Sequence, residues 1–195
     1  SRGGGDMPSF YFMKNVEPLL DDPREPHRIE RGSAGEEASD GDLAACAVDI
    51  AQIPMEEGWY RALQSTISKY ETFKNQDIVK ISPEFMPEYS KKLEIFFEEH
   101  LHTDPEVRFI LDGSGYFDVR SADDRWIRIP VSRGSFVYLP AGLYHRFTPD
   151  TKDYIVALRL FTDEPKWEAH NRCENGTDDM AARAEYLKNI KIASQ

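Results

Sequence analysis

The rhythm of apolar residues changes near residue 96. Between Glu56 and Tyr70, the residues Trp59, Leu63, Ile67 and Tyr70 recur at helical spacing, which predicts a helix with one buried face. Upstream, Leu43 to Ile53 is apolar enough for a strand, and Pro54 ends it. A second helix is expected to begin at Ser82, with Pro83 at its first position, and to turn Phe85, Tyr89 and Leu93 inward. From Phe96 onward, short alternating segments separated by turn residues take over. Phe109–Leu111, the turn Asp112–Gly115 and Tyr116–Val119 together read as a hairpin. Trp126–Val131 reads as a strand ending at an edge proline, and Ser135–Leu139 and Tyr154–Thr162 complete the set. A short amphipathic helix is expected around Met180–Leu187. Strands this short at this spacing predict a sandwich or barrel, and closure of a barrel would remove the sheet edges. The expected class is mainly β, with a few helices packed outside the barrel.

Length and composition suit one domain of ordinary size. Ser1–Asp6 reads as a remnant of expression cloning, with Met7 as the native start. Residues 7–93 are expected to supply strand and helix decoration, and 94–170 the barrel core. No run of eighteen apolar residues and no charged-then-apolar leader is seen, so neither a membrane span nor a secretion signal is expected. Cys46 and Cys173 form no metal motif and no disulfide framework, which suits a reducing cytosol. Charge changes the picture in one respect. Residues 15–58 hold twelve acidic and three basic residues, most of the net charge of −11, and such a surface argues against nucleic acid. Within it, Arg31–Asp42 is polar, glycine-rich and acidic, the best loop candidate in the chain.

The candidate chemistry lies in His100-Leu101-His102-Thr103-Asp104-Pro105-Glu106 and in Pro140-Ala141-Gly142-Leu143-Tyr144-His145. Alternation on a strand lets His100 and His102 share a face with Leu101 turned away. Glu106 lies beyond a Thr-Asp-Pro bend that can return its carboxylate to the same point, and His145 would close the set from a neighbouring strand. The chain has five histidines, of which three fall in this pattern. Three neutral imidazoles and one carboxylate suit a divalent iron, nickel, manganese or zinc ion with coordination positions left over for substrate. His27 and His170 fall outside the pattern and are read as structural or surface residues.

Six residues separate Glu106 from Gly113, and five separate Gly134 from Pro140, with Gly142 and His145 following. These blocks resemble the two motifs of the cupin superfamily, small double-stranded β-barrels of jelly-roll type that hold a metal in the barrel mouth. The chain departs from that pattern at Glu94, where the family has glycine, and at Pro149, where it has asparagine; neither is a ligand position. A narrower resemblance is denser. Phe97–His102, Glu106–Arg120, Trp126–Ile129, Leu139–Phe147, Arg159–Phe161, Glu164-Pro165 and Trp167 look like acireductone dioxygenase, and Asp22–His27 is similar to that family's amino-terminal start.

That resemblance implies an enzyme that cleaves 1,2-dihydroxy-5-methylthiopent-1-en-3-one with dioxygen in methionine salvage. With iron the family yields formate and 4-methylthio-2-oxobutanoate, and with nickel carbon monoxide, formate and methylthiopropionate. It implies one Fe2+ or Ni2+ per chain, held by His100, His102, Glu106 and His145. Arg108 and Arg159 match arginines beside the substrate, the second with a salt-bridged barrel residue as its alternative. Phe96, Phe147 and Trp167 match aromatic pocket positions that core packing would explain equally. Glu98 and Glu99 could orient an imidazole, although solvated charge explains them as well. The expected state is a cytoplasmic monomer, with the nucleus as a second compartment and protein partners compatible with the fold. Two alternatives stay open: another metal-dependent cupin enzyme, or a cupin that binds without catalysing.

Overall fold

A computed structural model describes residues 9–14, 21–29, 37–163 and 168–193, without the side chains of the last two. Ten strands form two sheets that share one member. That member is β5, Glu106–Arg120, fifteen residues long. Its first half lies between β7 (Ser135–Leu139) and β9 (Ile155–Phe161), and these are flanked by β2 (Asp49–Gln52) and β3 (Asn75–Ile81). Its second half lies between β6 (Trp126–Ser132) and β8 (His145–Pro149). Beyond β6 comes β1 (Tyr11–Phe12), and beyond β8 come β4 (His100–Leu101) and β10 (His170–Asn171). All pairings are antiparallel, and the two sheets enclose the expected barrel.

The expected hairpin at Asp112–Gly115 is not formed. The two flanking segments never pair with each other; they belong to one strand that bends from one sheet into the other. The register against β9 slips between Ile110 and Asp112, leaving Leu111 as the extra residue of a bulge. Gly113 follows at φ 74°, and a Cβ there would lie 2.1 Å from the Tyr154 carbonyl oxygen. The glycine serves close backbone approach at a bend, which leaves the same local signature as a turn.

Alternation along β5 sorts its two faces. Val107 and Phe109 are fully buried with Leu63, Phe136, Leu158 and Leu160 under α2, Trp59–Ile67. There Trp59 stacks on Phe109 with ring centroids 5.6 Å apart, and Tyr70 stacks on Tyr138 at 4.3 Å. Arg108, Ile110 and Phe117 face the barrel interior. The helical face expected over 56–70 is therefore present, trimmed at its start by Gly58, which has φ 86°.

Other expectations are corrected as well. Leu43 lies on a helix, α1 (Asp40–Ala45), before β2 begins. Ser39 accepts from the Asp42 amide while the Asp42 side chain accepts from the Ser39 amide, a capping box that outweighs the apolar run. The acidic loop therefore ends at residue 39, and its residues 31–36 lie outside the described residues. Ser82–Met86 makes one turn, and Pro87, with no amide hydrogen to offer, stops it; α3 is Tyr89–Phe97. Strand β6 runs through Pro130 to Ser132, with β1 covering only Ile127 and Arg128 on that side. The last helix, α4, is longer than expected, at Ala181–Ala193. No described helix is long and apolar enough to cross a membrane.

A charged row crosses the outer face of one sheet. Asp118 of β5 is the cross-strand partner of both Arg128 on β6 and Arg146 on β8. Its carboxylate accepts from Arg128 at 2.7 and 2.9 Å and from Arg146 at 2.8 Å. Arg128 also donates to the carbonyls of Pro23 and Glu25, so the amino-terminal segment is docked onto the row and covers it. Burial alone would raise the Asp118 carboxyl, but the two guanidiniums outweigh it and hold it below its usual range. A carboxyl lowered in this way stabilises the fold fully above the ordinary aspartate range near pH 4, and the contribution is lost as pH falls through the folded value. Asp118→Asn should cost about 3–5 kcal/mol at neutral pH, because two buried cations lose their counter-charge. It should also flatten the acid limb of stability against pH. Denaturant unfolding across pH checks both, and a loss below about 1 kcal/mol would contradict this role.

Candidate metal centre

The four residues singled out by spacing meet at one end of the barrel. His100 opens β4 opposite His145 on β8, His102 lies just beyond β4, and Glu106 begins β5 in the other sheet. One potential ligand atom from each lies within 4.8 Å of the other three. Glu106 Oε2 is 2.8 Å from His145 Nε2 and 3.2 Å from His102 Nε2.

Each imidazole is tied at its other nitrogen. His100 Nδ1 meets the Glu98 carbonyl at 2.6 Å, His145 Nδ1 the Leu143 carbonyl at 2.9 Å, and His102 Nδ1 the Glu168 carbonyl at 2.9 Å. A carbonyl can only accept, so all three rings carry their proton on Nδ1 and turn the Nε2 lone pair inward. Lone pairs facing a carboxylate oxygen repel unless a cation or a proton lies between them. The donor set therefore fits a divalent metal, with nitrogen and carboxylate ligands of intermediate softness.

Charge within the site points the same way. Burial, helped by the neighbouring His145, pushes His100 down to about 3, so it is neutral and free to donate at physiological pH. Burial would raise Glu106, but the Arg108 charge beside it, with the imidazoles of His145 and His102 close by, keeps it well below the carboxylate range. It is thus an anion at every working pH. Burial opposes the charged form of His102, yet its contacts with Glu106 raise it on balance.

The cluster forms one wall of a cavity of about 230 Å³ that reaches into the barrel. Arg108, Arg159, Phe96 and Phe147, all expected near substrate, line it too, together with Val79, Ile110, Ile155 and Ala157. Trp167 lies outside the described residues. Arg108 Nη2 is 3.3 Å from Glu106 Oε1, and Arg159 is its cross-strand partner on β9. Arg159 is held by both carboxylate oxygens of Asp77 at 2.7 Å, so the salt-bridged alternative describes it while it also faces the cavity. Asp77 went unnoticed in the sequence, although it sits in register with Arg159 on β3. Phe96 and Phe147 meet edge-on at 6.3 Å, which makes them both packing and wall. Glu99 is not solvated charge. Arg120 holds it at 2.7 Å and Arg172 at 3.4 Å. Glu98 contributes its backbone carbonyl to His100, and His170 lies in β10 opposite Leu101 without being one of the four clustered residues.

Comparison with known proteins agrees with this geometry. The sequence profile of the ARD/ARD′ family matches residues 10–169. The chain is 43% identical over 175 residues to an acireductone dioxygenase of Gallus gallus, spanning 90% of this chain and 94% of that protein. It is likewise 43% identical over 168 residues to an acireductone dioxygenase of Homo sapiens, spanning 86% and 90%. Among solved structures, an acireductone dioxygenase from Bacillus anthracis with cadmium in its active centre is similar at TM-score 0.58 and 22% identity, over 65% of this chain and 84% of that one. At that identity the likeness is one of fold.

Removal of a ligand tests the cluster directly. Glu106→Gln keeps the volume and loses the anion, and His100→Ala opens the set. Each should lower metal affinity by more than the roughly 10–100-fold that loss of an outer hydrogen bond costs. After loading and desalting, elemental analysis should find about one ion per chain in the parent and little in either variant. Full retention by both would contradict the ligand set.

Proposed function

We infer the chemistry of this site from one premise: the chain belongs to the ARD/ARD′ family. It is a metal-dependent dioxygenase that takes acireductone and dioxygen. We propose that His100, His102, Glu106 and His145 hold the ion and that Arg108 receives the substrate beside it. The observation that carries this reading is the convergence of three imidazoles and one carboxylate at the cavity wall, with a half-buried guanidinium 3.3 Å from the carboxylate.

When bound, the ion supplies Lewis acidity and a redox partner for dioxygen, and Fe2+ is the proposed physiological choice, with Ni2+ as the alternative. The protein supplies the rest. The substrate is an enediol whose deprotonated form is an anion rich in oxygen. Arg108 offers fixed donors in a fork suited to an enolate oxygen, and its charge favours the anion in a cavity walled mostly by apolar side chains. Asp77 neutralises Arg159, so the cavity does not carry two unopposed cations beside the metal. The apolar wall of Phe96, Phe147, Val79 and Ile155 suits the methylthio-bearing carbon chain. With iron the proposed products are 4-methylthio-2-oxobutanoate and formate; with nickel they are methylthiopropionate, carbon monoxide and formate. The same residues serve both. Two free cysteines support a reducing compartment, and we place the protein in the cytoplasm, with the nucleus as a second site.

The experiment is anaerobic loading with Fe2+, addition of acireductone, and measurement of dioxygen uptake and products. One dioxygen consumed per substrate, with formate and the keto acid formed, is the expected result. A metal-loaded protein that consumes none would contradict the reading. Arg108→Ala should lower kcat/KM by about 100-fold or more while metal content is kept. An unchanged kcat/KM would remove Arg108 from the substrate's side.

A further inference from the structure

The three imidazoles are secured in two different ways. His100 and His145 reach carbonyls two residues back in their own segments. His102 depends on Glu168, 66 residues later in the chain. Residue 168 leads into β10, whose His170 and Asn171 pair with Leu101 and His100. The pairing is continued by the Arg172 amide, which donates to the Glu99 carbonyl at 2.9 Å.

Arg172 fixes that register with its side chain. Its guanidinium donates to Asp124 at 2.8 and 3.1 Å, reaches both Glu99 oxygens at 3.4 Å, and lies over the Tyr144 ring at 4.6 Å. Glu99 immediately precedes His100, and Tyr144 immediately precedes His145. One side chain thus touches both residues that lead into ligands, while the segment it anchors supplies the acceptor for the third. The segment leading to His145 is also held by α4. A Cβ on Gly142, which has φ 81°, would lie 2.3 Å from the Ala182 carbonyl oxygen of α4, and Arg183 donates to the Gly142 carbonyl.

We propose that Arg172 is a positioning residue of the metal centre: it registers Glu168–Arg172 against β4, so that the Glu168 carbonyl holds His102 Nδ1 and turns Nε2 onto the ion. This rests on the reading of the four-residue cluster as metal ligands. It differs from a purely structural salt bridge because it acts on one ligand through a named acceptor.

Arg172→Ala tests it with two readouts besides turnover. Metal affinity by chelator competition should fall about 10–100-fold, as when a ligand loses its outer hydrogen bond. Long-range proton–nitrogen NMR of the apo-protein, recorded above the histidine titration range, should show His102 changing from its Nδ1–H form to a mixture, with His100 and His145 unchanged. Arg24→Ala is the control. It breaks the 2.8 Å pair with Asp153 away from the site and should leave affinity and all three tautomers unchanged. Unaltered affinity and His102 tautomer in Arg172→Ala would overturn the proposal, and so would equal disturbance of all three rings. If Arg172→Ala fails to fold, Asp124→Asn replaces it, because this partner is 54% exposed. Its effect should be smaller and in the same direction, and no effect there would overturn the proposal. A parent that bound no metal would sink the ligand reading, and the apo-protein tautomer comparison would still decide the role of Arg172.

Discussion

Both sheets of this protein depend on one strand that bends without breaking. β5 carries hydrogen bonds to four neighbours, two on each half. The bulge at Leu111 and the left-handed Gly113 let it leave one sheet and enter the other. The bend is possible because Gly113 carries no side chain, for the Tyr154 backbone occupies the space one would need. Glu106 and Arg108 lie on one side of it, and Phe117 and Asp118 on the other. The strand therefore sets the distance between a carboxylate in one sheet and the imidazoles in the other.

Strand alternation then separates two electrostatic tasks. On β8, His145 turns toward the cavity while Arg146 turns outward to Asp118 and stacks over Trp126 and Phe97 at 4.0 and 4.1 Å. The outer row is rigid because every charge in it is met by an opposite charge or a carbonyl. The inner cluster is arranged the other way. Its four donor groups converge on one point, where a cation would satisfy them. A buried ion pair adds little net stability, but one placed directly behind a ligand strand restricts how that strand can move. That restriction has value where four donors must keep a fixed geometry.

The four-residue cluster was legible because three of its members fall within seven residues, where strand alternation and one bend decide their placement. His145 was legible through its motif. The hairpin was misread because glycines at a barrel bend and at a tight turn look alike locally; only the distant Tyr154 backbone distinguishes them. Strand β3 went unread because its inward face includes the charged Asp77 and its outward face the apolar Ile78, which inverts the usual pattern. Arg159 on β9 explains that inversion, and it is 82 residues away. Glu99 gave no sign of its two arginine partners, and the Glu168 carbonyl has no side-chain signal at all. In these four cases what failed to show in the sequence was a contact made across long separations, whereas the capping box at Ser39 and the stop at Pro87 are local.

X-ray absorption on the metal-loaded protein tests the central claim most directly. The account predicts one ion with three imidazoles in its scattering shell, a carboxylate oxygen, no sulfur, and further light-atom ligands completing the coordination. A sulfur shell, or fewer than three imidazoles, would contradict the assignment of His100, His102, Glu106 and His145.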